Sequence, residues 1–245
     1  MFAAGVCSEG EDAEAVEVRR YVMALLEGFF RHKGPGLNVS DHRLLLGSIF
    51  RHLHRRIVKR WPESRPVTDL ALMVATSQRL YAARSGRGAL FVFRAEKAAA
   101  LFGGGAGNDD LLGAPSGGGV ETAEAPLQAG DMVVLCNPAL ARVISPRDVS
   151  VILGRAREPG KASLFLSAIA ERKGAEGVLT ALVWEVPNYQ GAALLTGDSP
   201  PTGGEAGEEE GAGLEAEREE GAAEDHAERA KRQWLSKWRR HREEP

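Results

Sequence analysis

Gln128-Ala129-Gly130-Asp131-Met132-Val133-Val134-Leu135-Cys136-Asn137-Pro138-Ala139-Leu140 holds a turn, a buried strand and an abrupt stop in one short run. Ala129-Gly130-Asp131 has turn chemistry, because glycine accepts φ > 0 and aspartate can hydrogen-bond its own backbone. Met132 to Cys136 is an unbroken apolar run, the pattern of a strand covered on both faces. Asn137-Pro138 ends it, since proline has no N–H to give to a ladder. Beyond the stop, Ser145-Pro146-Arg147-Asp148 predicts a helix start, with serine as N-cap, proline at N1 and an acid at N3. Many folds keep their catalytic groups on the loop after such a strand. This one carries no acid, base or nucleophile of note.

Upstream, Phe2 to Cys7 reads as a short strand, and the acids of Glu9-Gly10-Glu11-Asp12 suit a helix N-terminus. A helix follows over about Ala13 to Arg31, where Val18, Tyr21, Val22, Leu25, Leu26 and Phe29 form a 3.6-residue stripe. His32-Lys33-Gly34-Pro35-Gly36 stops it. Ser40 or Asp41 caps a second helix to about Arg60, with Leu45, Ile49, Phe50, Leu53 and Ile57 on its apolar face. Arg51, Arg55, Arg56, Lys59 and Arg60 make its other side basic, and that side is expected to be solvated.

Asp69 to Thr76 reads as a strand, Ser77-Gln78 as a tight turn and Arg79 to Ala83 as the hairpin partner. Another strand is expected over Ala89 to Arg94. Residues 95–125 are rich in glycine and alanine and are expected to form a long surface loop. One or two helical turns from Val149 to Leu153, a helix from about Lys161 to Lys173 and a last strand from Val178 to Val186 complete the domain. Strands and helices are segregated along the chain, which predicts an α+β fold.

The chain has 245 residues and a formal net charge of −3, which argues against a dedicated nucleic-acid binder. Residues 1–187 form one expected domain. Residues 188–228 are an acidic Gly/Ala/Glu linker whose composition predicts disorder. Residues 229–245 are basic, with Ala227, Ala230, Trp234 and Trp238 at helical spacing, so an amphipathic segment is expected. It suits an acidic partner, a membrane surface, a partner groove or RNA, or it associates with the acidic stretch before it. No leader and no apolar run of spanning length is read, so a cytoplasmic protein without a transmembrane helix is expected.

Five stretches, in order, resemble the PPM-type (protein phosphatase 2C-like) metal-dependent protein phosphatases. Pro126 to Leu140 resembles P-L-Q-x-G-D-x-L-L-L-C-S-D-G-L. Leu80 to Arg94 is similar, without gaps, to L-Y-V-A-N-V-G-D-S-R-A-Y-L-F-R. Leu111-Leu112-Gly113-Ala114 resembles A-L-G, Glu171 to Val183 resembles E-R-G-x-x-D-N-I-T-V-V-V, and Phe2-Ala3 with its helix resembles F-A-V-x-D-G-M-G-G. The resemblance implies two stacked antiparallel sheets flanked by helices, here lacking the family's N-terminal strands.

The family's chemistry is metal-assisted hydrolysis by two cations, which need oxygen ligands and convergent carboxylates. At the positions where the resemblance places those groups stand Val6-Cys7 (or Ser8-Glu9), Arg87, Pro138-Ala139 and Glu176-Gly177 (or Gly177-Val178). Only Glu176 and Glu9 are acids, so no catalytic or metal-binding residue and no cofactor is expected. The implied function is that of a pseudophosphatase acting as a protein-binding or regulatory module, with a phosphoprotein among its candidate partners. The alternative is a serine/threonine phosphatase using Mn or Mg through other ligands. A third reading makes the domain a spacer that displays the charged tail.

The remaining candidates have simpler readings. Asn108, Asp109 and Asp110 are expected to be solvated turn residues. Glycines 103–107 and 117–119 lack the G-K-[ST] of a phosphate cradle. His32, His42, His52 and His54 show no metal spacing, and Cys7 and Cys136 are expected to be reduced and buried.

Overall fold

A computed structural model of the chain describes residues 2–7, 13–33, 41–103 and 110–188. The order is β1 (Phe2–Cys7), α1 (Ala13–Lys33), α2 (His42–Arg60), β2 (Leu70–Ala75), β3 (Arg79–Ser85), β4 (Ala89–Arg94) and β5 (Lys97–Phe102). It continues with β6 (Glu121–Pro126), β7 (Met132–Cys136), α3 (Pro138–Ala141), α4 (Pro146–Ala156), α5 (Pro159–Arg172) and β8 (Ala181–Glu185). All ladders are antiparallel. One sheet runs β1-β2-β3-β6 and the other β5-β4-β7-β8.

The α+β expectation therefore holds, as two stacked sheets with helices outside. Leu46, Ile49, Phe50, Leu53 and Ile57 of α2, with Val18, Val22 and Leu26 of α1, pack on the outer face of the first sheet. Between the sheets lie Met73, Leu80, Leu90, Val133 and Leu135. α3, α4 and α5 cover the outer face of the second sheet through Leu140, Ile152, Leu153 and Leu166. Each such side chain contributes roughly 1.5–3 kcal/mol of burial.

The opening stretch forms as read. All five residues of β7 are buried, because β4 and β8 flank it while a second sheet and a helix layer cover its faces. Gly130 has φ +81 at the turn. The carboxylate of Asp131, only 2 % exposed, is gripped by Arg94 through Nε at 2.8 Å and Nη2 at 2.5 Å. It also accepts the Gln128 N–H at 2.8 Å. The Asp131 hydrogen bond holds the Arg94 guanidinium above its ordinary pKa, against the opposing effect of burial. Ser145 and Asp148 form a capping box at α4. Burial pushes the Asp148 carboxyl up, but hydrogen bonds from Lys173 and Ser145 outweigh it and hold the group below the usual carboxylate range. α5 ends at Arg172, with Lys173 as its C-cap and Gly174 beyond it at φ +80.

Four expectations need correction. Residues 95–125 contain two strands, β5 and β6, rather than a single loop. Their Lys-Ala-Ala-Ala-Leu-Phe and Glu-Thr-Ala-Glu-Ala-Pro sequences have little intrinsic strand preference, and pairing with β4 and β3 forms them. β3 extends to Ser85, beyond Ala83. β8 begins at Ala181, later than Val178, because the backbone before it is drawn to Asn137. α4 spans 11 residues, Pro146–Ala156, rather than one or two turns from Val149 to Leu153, and α3, which no expectation covered, follows directly on the strand stop.

Candidate functional site

β7 ends at Cys136, which pairs with Ala89 on one side and Ala181 on the other. Asn137 follows with 1 % exposure and a side chain engaged at both Oδ1 and Nδ2. Its Oδ1 accepts the N–H groups of Leu140 and Thr180, each at 3.2 Å, and its Nδ2 donates to Val178 O at 2.7 Å. Asn137 is thus the N-cap of α3 and the clamp that fixes the loop entering β8. Pro138 takes the first helical position, where a missing N–H costs nothing. Pro138 and Ala139 are half-buried and offer no charge.

The other implied positions lie at the same end of the sandwich. Val6 and Cys7, whose side chains lie outside the description, pair by backbone with Ala71 and Leu70. Ser8 and Glu9, the alternative register, lie outside the described residues. Gly88 joins the sheets here: a Cβ on it would stand 2.8 Å from the Ala71 Cβ and 3.2 Å from Cys136 O. Gly86, at φ +94, has the Asp69 carboxylate where a Cβ would go, so only glycine fits. Arg87 is exposed, and its N–H donates to Asp69 Oδ1 at 2.8 Å. Glu176 is exposed and Gly177 has φ +81, both in the α5–β8 loop. The topology therefore gathers the implied positions, and of those described only Glu176 is an acid.

Two residues that sequence reasoning passed over shape this end. Arg84 is 3 % exposed. Its Nη1 donates to Gly88 O at 2.9 Å and Gly103 O at 3.0 Å, while Nε and Nη2 reach Glu121 Oε2 at 2.9 and 2.7 Å. Its guanidinium also lies 4.8 Å from the Phe102 ring centre. The available signal was a charge at i+4 from Leu80 and i+2 from Ala82, on an inward face of period two. Asp69 is the other, holding the β3–β4 loop through Arg87.

Hard cations need several converging oxygens. Among the described residues, no group of three or more His, Cys, Asp or Glu side chains is placed to hold a metal ion. The buried Arg84 guanidinium beside Gly88 is paired with Glu121, so that carboxylate is already engaged. The described side chains do not fit a two-cation centre.

The remaining candidates are placed as follows. Asn108 and Asp109 lie outside the described residues, while Asp110 is half-buried and its carbonyl accepts the Ser85 hydroxyl at 2.6 Å. Gly104, Gly105 and Gly107 also lie outside the description; glycines 117–119 lead into the strand β6, whereas a phosphate cradle opens a helix. Cys136 is fully buried, and desolvation pushes its thiol up to about 12, which keeps it inert at neutral pH. His42 stacks on Tyr81 with ring centres 4.5 Å apart, and His32 is exposed. His54 Nδ1 accepts the Gly113 N–H at 3.2 Å. Desolvation, then nearby arginines, holds His52 and His54 below the ordinary histidine pKa. A cavity of about 300 Å³ lies at the other end of β7, lined by Phe93, Arg94, Glu96, Asp131 and Arg157. The charged segment from residue 189 to the C-terminus lies outside the described residues.

Solved structures share this architecture. PppA, described as a key regulatory component of T6SS in Pseudomonas aeruginosa, superposes with a TM-score of 0.58 at 16 % identity, covering 74 % of this chain and 84 % of that one. The S. agalactiae serine/threonine phosphatase gives 0.60 at 13 % identity, covering 75 % and 85 %. The catalytic domain of the serine threonine protein phosphatase PstP, solved with 2 manganese ions, gives 0.57 at 19 % identity, covering 76 % and 87 %. No protein-family model and no curated protein sequence matches the chain. The chain has the fold of the PPM-type serine/threonine phosphatases.

Proposed function

We propose that this PPM-type fold works as a protein-binding or regulatory module, a pseudophosphatase without metal-assisted hydrolysis. The observation that supports it most is the tip of β7. Proline and alanine stand where the resemblance places a metal carboxylate and its glycine, and the neighbouring Asn137 is spent on capping α3 and clamping Val178 and Thr180. Such a tip supplies scaffold geometry and no ligand. Cytoplasmic residence and a protein partner, with phosphoproteins among the candidates, belong to this reading. Among the described residues, no helix is long and apolar enough to cross a membrane.

The test uses the full chain, phosphoserine and phosphothreonine peptides, and Mn²⁺ or Mg²⁺, with calorimetric titration of each metal alongside. The expected result is no turnover above the metal-only background and no stoichiometric metal binding. Turnover that a chelator abolishes overturns the proposal and restores the metal-dependent phosphatase. Partner capture that disappears when residues 191–245 are removed assigns the binding to the tail instead.

A further inference from the structure

Between Asp110 and β6 the chain runs against α2, and both ends of that run are firmly seated. Leu112 is fully buried in the cluster that holds Leu53, Ile57 and Leu70. It exchanges backbone bonds with Thr68 at 3.0 and 3.1 Å. At the far end Val120 packs against the same cluster.

Between these fixed points lies a strap, Gly113-Ala114-Pro115-Ser116-Gly117-Gly118-Gly119. Its turns close locally, with Ala114 N donating to Leu111 O and Gly117 N to Ala114 O, both at 3.1 Å. Among the described residues, a single hydrogen bond ties the strap to the body of the protein: Gly113 N donates to His54 Nδ1 at 3.2 Å. The strap lies directly on that imidazole. Gly118, at φ +66, would place a Cβ 3.0 Å from His54 Nδ1, and Gly113, at φ +91, has Pro66 O and Ile57 where a Cβ would go. A segment with four glycines in seven residues loses much conformational freedom when held, so its one tie matters.

The tie ends in a group that titrates. An imidazole nitrogen accepts a hydrogen bond only while the ring is neutral, and in the protonated ring both nitrogens are donors. Protonation therefore sets a ring N–H against the Gly113 N–H. The surrounding charges leave His54 without a carboxylate partner. Residues 111–118 carry no titratable side chain. Asp110 offers its carbonyl to the Ser85 hydroxyl, and Arg65 Nε donates to Pro62 O. Arg56 and Arg60 turn to Tyr21 and Glu17 of α1, and Arg51 donates to Ser48. Arg55, the next residue on α2, is the charge that acts on the ring.

We propose that His54 is a proton-operated latch: its neutral ring holds residues 113–119 on α2, and its protonation releases them between Leu112 and Val120. Desolvation, then Arg55, holds the folded-state pKa below the ordinary 6.5, so the closed strap favours the neutral ring. Closure is complete above pH 6.5 and gives way as the pH falls through the folded value. The latch is independent of the binding role proposed above. Metal-dependent phosphatase turnover would sink that role and leave the latch untouched.

The test follows amide hydrogen exchange of the full chain by NMR at pH 7.5 and 5.5, each rate corrected for the intrinsic pH dependence of exchange. Protection of the Gly113 amide is expected to fall at least about threefold at the lower pH, while Val133, Val134 and Leu135 of β7 keep theirs. The heteronuclear NOE of Gly117, Gly118 and Gly119 is expected to fall over the same range. Both changes are expected to survive in His52→Asn and to vanish in His54→Asn, whose side chain does not titrate. If His54→Asn fails to fold, the unaltered protein decides: the His54 ring resonances and the Gly113 amide are expected to titrate with one midpoint. Separate midpoints overturn the proposal, as does Gly113 protection that ignores pH or that falls only together with β7. A Gly113 bond lost without any change in the NOE of the three glycines also overturns it, because the strap then stays in place.

Discussion

Replacing Arg94 is expected to cost much more stability than replacing its partner Asp131, although the two share the same hydrogen bonds. The reason is their unequal exposure: 2 % for the Asp131 side chain and 35 % for Arg94. Arg94→Met leaves a carboxylate out of reach of water with one remaining donor, the Gln128 N–H at 2.8 Å. Breaking a buried pair from that side costs about 3–5 kcal/mol. Asp131→Asn leaves a guanidinium that water reaches and that still donates to Pro126 O at 2.9 Å. The asparagine can also accept one of the lost bonds, so the cost is about 1–2 kcal/mol after solvent screening. The expected gap is therefore about 2 kcal/mol. With a urea m-value of about 2 kcal/mol per molar, the two midpoints separate by about 1 M. Urea unfolding followed by tryptophan fluorescence and circular dichroism measures this, with coincident curves as the check on two-state behaviour. Equal costs, or a larger cost for Asp131→Asn, would refute the reasoning. Losses below about 0.5 kcal/mol for both would show that the grip on Asp131 does not fix the start of β7.

Asn137→Ala removes one acceptor serving two N–H groups and one donor serving Val178 O, and is expected to cost about 3 kcal/mol. A drop in melting temperature of about 6–12 °C corresponds to that in a domain of this size; a change below 2 °C would mean that the tip of β7 is not clamped as described. His52 and His54 have folded-state pKa values held below the unfolded 6.5, so the fold favours their neutral forms. Their contribution is complete above pH 6.5 and is lost as the pH falls through the folded values, because the unfolded chain then binds more protons. Melting temperature is expected to fall between pH 7.5 and 5.5, and the slope to flatten in a His52→Asn/His54→Asn variant; an unchanged slope would show that other groups set it.

Much of the fold was legible because its strongest elements need no partner to be recognised. The stripe of Val18, Val22 and Leu26, the capping box of Ser145 and Asp148, and the apolar run from Met132 to Cys136 each state their own structure. β5 and β6 were illegible for the converse reason. Their alanines and glutamates hold a strand only because β4 and β3 present ladders to pair with. The candidate site divided in the same way: Pro138 and Ala139 can be read directly as lacking charge and backbone freedom, while Arg84 showed only as a charge on an inward-facing position. That its guanidinium joins Gly88, Gly103 and Glu121 depends on segments far apart in the chain.

The stretch from Gln128 to Leu140 shows where the division falls. By itself the sequence determined that a turn opens a buried strand, that the strand stops at Asn137-Pro138, and that uncharged proline and alanine follow. Turn chemistry, unbroken hydrophobicity and the missing proline N–H are local properties that any surroundings would respect. The tertiary structure alone decided that Asn137 clamps the entry to β8 and that Gly88 lets the two sheets meet beside Cys136. Those facts depend on which segments lie opposite one another, and close packing of the two sheets settles that.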